Sequence, residues 1–87
     1  MMQVTSIESK VMAIVRQVLI HEPAGLDCTT HLVKTGALDS LGVLAISTAL
    51  EAQFGIAFRE LEINPGNFAS VRAIADLTAR KLDARVE

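Results

Sequence analysis

Few side chains in this sequence are able to do chemistry, and they do not gather into a catalytic set. The imidazoles are His21 and His31, and Cys28 is the one thiol. A nucleophile needs a base within reach and the base needs an orienting group, yet no such trio is spaced along the chain. There is no glycine-rich phosphate loop and no pair of acids set apart from solvated faces, so an enzyme is not expected. His21 reads as the last turn of a helix, where a partial positive charge suits the dipole. His31 and Cys28 read as incidental loop residues, and two histidines with one cysteine in such sequence make no metal site. Ser40 stands apart, in the run Gly36-Ala37-Leu38-Asp39-Ser40-Leu41 where a long loop meets the first turn of a helix. Taken alone, Asp-Ser at that place is an ordinary capping arrangement.

The elements that hold Ser40 follow from periodicity. Val4, Ile7, Val11, Ile14, Val15 and Val18 recur at helical steps, which predicts an amphipathic helix from about 6 to 21 with a Thr5/Glu8 capping box. Pro23 and Gly25 stop it. Residues 22–38 form an unusually long connection with Leu32, Val33 and Leu38 as apolar pins, so it should be functional or locally structured. A second helix is predicted from Asp39 and Ser40 to Phe54, with Gly55 as its left-handed stop. Its apolar residues fall into two stripes. Val43, Ile46, Leu50 and Phe54 read as core, while Leu41, Leu44, Ala45, Thr48 and Ala52 lie roughly opposite. Asn64 before Pro65 predicts a short helical turn anchored by Phe68. Ser70 then caps a last helix with Val71, Ile74, Leu77 and Leu82 inward and Arg72, Asp76, Arg80 and Lys81 in water.

The predicted fold is all-α, a small bundle of three longer helices and one short one. Eighty-seven residues make a single domain over 1–87, with its core at about 4–82 and its ends frayed. Hydrophobic residues make up 51% of the chain, enough for a packed core, but with three Phe and neither Trp nor Tyr that core must be aliphatic. Val11, Ile14, Val43, Ile46, Leu50, Phe54, Val71 and Ile74 are its expected members. A formal charge of -2, with no basic stripe and no aromatic platform, argues against nucleic acid. No apolar run reaches membrane-spanning length and no secretory leader is visible, and a lone cysteine makes no internal disulfide. A soluble cytoplasmic monomer is the expectation.

Three separated motifs change the reading of Ser40. Leu38-Asp39-Ser40-Leu41, Leu50-Glu51-Ala52-Gln53-Phe54-Gly55-Ile56 and Ser70-Val71 together resemble the attachment site, second helix and last-helix start of the acyl carrier protein family. That family includes the peptidyl and aminoacyl carriers, and the resemblance runs from the first helix to about Leu82. It implies a 4'-phosphopantetheine arm attached covalently to Ser40, with Asp39 and Leu41 flanking it, on which an acyl or aminoacyl group is held as a thioester. A phosphodiester there would sit beside the unpaired N–H groups and positive end of the helix dipole. The implied partners are a phosphopantetheinyl transferase, a cargo-loading ligase or acyltransferase, and a downstream transferase or synthase. The implied docking face is Leu41, Gly42, Leu44, Ala45, Thr48, Glu51 and Ala52.

The sequence also departs from the family's fatty acid carriers, whose second helix is strongly acidic. Those positions here are Gly42, Ala45 and Ala52, and Glu51 alone remains acidic. Together with Asn64-Pro65-Gly66-Asn67-Phe68-Ala69-Ser70-Val71, this looks more like the stand-alone aminoacyl carriers and carriers of specialised pathways. Two readings from other classes remain: an unmodified helical adaptor or regulatory protein that kept the fold and lost the arm, and a small enzyme or regulatory subunit, disfavoured by the missing catalytic groups.

Overall fold

The computed structural model describes residues 4–85. Three α-helices, α1 (Val4–Val18), α2 (Ser40–Phe54) and α3 (Val71–Arg85), are joined by two long connections, the second carrying a 3-10 turn at Glu60–Glu62. No strand occurs among the described residues. The chain is already helical at Val4, which puts Thr5 inside α1; the expected capping contact of its side chain, like the expected fraying of the ends, lies outside the described residues.

α1 packs against both α2 and α3. Ile7, Val11 and Val15 form its buried stripe, and they meet Val43, Ile46, Leu50 and Phe54 of α2 and Val71, Ile74, Ala75 and Leu77 of α3 in one cluster. Ile14, expected in the core, is half-buried at its edge. α1 ends at Val18 rather than near His21 because the Ile20 N–H donates to the Ala37 carbonyl at 2.9 Å, so the returning loop takes a donor that helix continuation needs. His21 consequently lies beyond the helix, exposed, and its expected place in the last turn is corrected.

The connection between α1 and α2 is structured throughout. Asp27 accepts hydrogen bonds from the Thr29 N–H and hydroxyl, both at 2.8 Å, forming a tight turn of the kind short polar side chains favour. The Cys28 carbonyl accepts the Arg72 N–H at 2.9 Å and the Leu32 N–H donates to the Ala69 carbonyl at 2.6 Å, which fastens the loop to the start of α3. Leu32, Ala37 and Leu38 are buried, and the Leu38 N–H donates to the Leu32 carbonyl. Two of the three expected pins thus reach the core; Val33 is half-buried.

The short helical element lies earlier than Asn64-Pro65. It is the turn Glu60–Glu62, where the Arg59 N–H donates to Glu62 Oε1 at 2.7 Å and Lys81 Nζ of α3 reaches the same oxygen at 2.6 Å. Lys81 is therefore tied down and half-buried, not freely solvated. Asn64 still organises a turn, its Oδ1 accepting the Asn67 N–H at 2.8 Å, and Phe68 is fully buried with its ring edge-on to Phe58 at 5.9 Å. Ser70 caps α3 as expected, Oγ accepting the Ala73 N–H at 3.1 Å.

Candidate functional site

Ser40 is the first residue of α2, and Asp39 is its cap: the Asp39 backbone is extended and its Oδ1 accepts the Gly42 N–H at 2.8 Å. The capping work falls on Asp39, which leaves the serine hydroxyl exposed and without a partner among the described side chains. The N–H groups of Ser40 and Leu41 also find no acceptor among the described residues, as expected for the open end of a helix. An exposed hydroxyl, two free amide donors and the positive end of the dipole therefore converge at one point.

Buried residues flank that point on both sides. Buried Leu38 immediately precedes the Asp-Ser pair, and buried Gly42 and Val43 follow it. Beside Ser40 opens a mostly apolar groove of about 260 Å³ lined by Ser40, Val43, Leu44, Ile63, Asn64 and Pro65. The far wall of the groove comes from the segment after the 3-10 turn, so two distant parts of the chain make one surface. A hydroxyl with open solvent in front, free N–H groups behind and an apolar channel alongside fits a phosphodiester followed by a long, weakly polar chain.

α2 separates its two stripes as its periodicity implied. Leu41, Leu44, Ala45, Thr48 and Ala52 are exposed, with Leu41 at 75% and Leu44 at 51%. Two residues grouped with them belong elsewhere. Gly42 is buried: a Cβ built on it would stand 2.5 Å from Leu38 Cδ1 and 3.3 Å from Val18 Cγ1, so this side of the helix faces the bundle. Glu51 is half-buried, and its Oε2 accepts the Phe58 N–H at 2.9 Å, holding the chain as it leaves the helix. Sequence reading also missed Ile63 and Pro65 as groove residues; apolar groups flanking Asn64 in a polar stretch were the available signal.

Neither Cys28 nor either histidine lines the groove beside Ser40. Partial burial pushes the Cys28 thiol above its usual range and the nearby Glu8 carboxylate adds to this, which makes it a poor nucleophile. His31 uses Nδ1 to accept the Lys34 N–H at 3.0 Å within its own turn. No group of three or more metal-ligating side chains occurs among the described residues.

Comparisons with known proteins identify a family for the chain. The family described as PP-binding, phosphopantetheine attachment site, matches residues 9–80. The chain is also similar to "Aminoacyl carrier protein 2" of Bradyrhizobium diazoefficiens, 30% identical over 79 residues that cover 88% of each chain.

Proposed function

This chain belongs to the phosphopantetheine-attachment family of carrier proteins, and from that footing we propose that Ser40 bears the 4'-phosphopantetheine arm and that the protein presents an aminoacyl or acyl cargo to partner enzymes. The observation that carries this reading is the exposed Ser40 hydroxyl on the first turn of α2, freed by the Asp39 cap and lying inside the matched residues. The arm supplies what the chain lacks, a terminal thiol on which cargo is carried as a thioester. Around its attachment point the protein's own groups do the holding: the N–H groups of Ser40 and Leu41 receive the phosphate charge, and the Leu44, Ile63 and Pro65 walls receive the apolar stretch next to it.

An aminoacyl cargo within a specialised pathway is favoured over a fatty acyl one. The similar aminoacyl carrier supports this, as does an α2 whose only acidic residue, Glu51, is occupied by the Phe58 N–H. Docking of the phosphopantetheinyl transferase, a loading ligase and a downstream transferase then falls to Leu41, Leu44, Ala45, Thr48 and Ala52. We take the chain as one carrier domain centred on residues 4–82, monomeric and cytoplasmic, which acts as a handle while its partners catalyse.

Intact mass before and after treatment with a phosphopantetheinyl transferase and coenzyme A tests the attachment. Wild type should gain one phosphopantetheine and Ser40→Ala none. An unmodified wild type would favour the adaptor reading, and a modified Ser40→Ala protein would put the arm elsewhere. Amino-acid-dependent thioester formation on the modified protein with its ligase tests the cargo.

A further inference from the structure

We propose that Gly42 is a positioning residue for the attachment serine, a role that rests on the Ser40 reading above. Glycine inside a helix is less favourable than alanine, and Gly42 does not have the left-handed backbone that would require it. Its reason must be space. A Cβ at this position would lie 2.5 Å from Leu38 Cδ1, 3.3 Å from Val18 Cγ1 and 3.4 Å from Asp39 Oδ1.

Each of these three contacts bears on Ser40. Leu38 is only 3% exposed and packed in the core cluster, so its Cδ1 has little room to retreat. Val18 is the last residue of α1, and the contact sets how closely α1 approaches the first turn of α2. Asp39 Oδ1 is the atom that accepts the Gly42 N–H, so the same residue supplies the capping donor and the clearance for the cap. Absence of a side chain at 42 lets the first turn settle against Leu38 and Val18 with the cap intact, and this fixes where the Ser40 hydroxyl stands. Because Leu38 is packed in the core and has little room to retreat, an added methyl lifts that turn, and lifting it carries Ser40 along.

Attachment is sensitive to that movement. The Ser40 Oγ–P bond forms as the phosphoanhydride bond of coenzyme A breaks, the hydroxyl proton goes to the transferase's base, and the adenosine bisphosphate part of the donor departs. A misplacement of about 1 Å can cost such a step on the order of a hundredfold.

The test measures transferase kinetics on full-length wild type, Gly42→Ala, Leu38→Val and the double variant, at a temperature where circular dichroism shows each to be folded. Gly42→Ala should lower kcat by about tenfold or more with KM little changed, because Leu44, Thr48 and Ala52 beyond the first turn still dock while the nucleophile is misplaced. Leu38→Val removes Cδ1, so the double variant should recover most of the lost kcat. Wild-type kcat in Gly42→Ala, a loss confined to KM, or a double variant that is no faster than Gly42→Ala would overturn the proposal. If Gly42→Ala alone fails to fold, the double variant decides: wild-type-like kcat supports the steric account, and an unfolded or slow double variant overturns it. A wild type that is never modified would instead refute the Ser40 assignment itself, so the two readings fail separately.

Discussion

Asp and Ser are both able to cap a helix, and at the start of α2 Asp39 does so. Because Asp39 Oδ1 accepts the Gly42 N–H, the serine hydroxyl is released from structural duty. Asp39→Ala should therefore cost about 0.5–2 kcal/mol in denaturant melts. Ser40→Ala should stay within about 0.5 kcal/mol of wild type while abolishing attachment. Equal destabilisation by both would mean that the hydroxyl shares the cap. Glu62 is the other residue whose chemistry reaches beyond itself. The Lys81 ammonium, followed by the Arg59 N–H, holds its carboxyl below the ordinary glutamate value of 4.5. A depressed carboxylate contributes stability above the unfolded value and loses it as pH falls through the folded one. The advantage of wild type over Lys81→Met should thus be present at neutral pH and shrink as pH drops below about 4.5. A difference in melting temperature that does not change with pH would assign Lys81 a packing role only.

At the scale of elements, α2 is built to face two ways. Val43, Ile46, Leu50 and Phe54 are buried, and truncating fully buried Leu50 to Ala should cost about 2–5 kcal/mol. Its opposite stripe holds Leu44 at 51% exposure, so Leu44→Glu should leave the melting curve nearly unchanged. The same substitution should block cargo loading or downstream transfer, since a charge would enter an apolar contact. Undiminished loading of the modified Leu44→Glu protein would move the docking face away from α2. The connection between α1 and α2 acts as a third layer of support. By giving acceptors to Ile20 and Arg72 and burying Leu32 and Leu38, it links the end of α1, the start of α3 and the start of α2.

For the molecule as a whole, charge is sparse where function is proposed. The net charge is -2, and α2 carries a single acidic side chain that the Phe58 N–H occupies. Association through such a face should rest on shape and apolar burial. The loading rate at sub-saturating carrier should then fall only weakly between low and moderately high salt. A steep fall would show that charges outside α2, such as those of the 22–38 loop, steer the partners.

What the sequence determined by itself is the information that acts over a few residues. Helical periodicity, the Asp39-Ser40 start, the Ser70 cap and the Gly55 stop each depend on neighbours within a turn or two, and all are present; Gly55 has φ 66° and its N–H meets the Glu51 carbonyl at 3.0 Å. The choice between the stripes of α2 was legible too, because its larger branched and aromatic side chains share one face. Tertiary structure decided what depends on distant atoms. α1 ends at Val18 because Ala37 takes the next donor, and the short turn forms at Glu60–Glu62 where Lys81 meets Glu62. Gly42 lies against Val18 of α1, and Ile63 and Pro65 close the groove beside Ser40. These contacts join residues that spacing along the chain does not relate, so only the packing of three helices and their two connections brings them together.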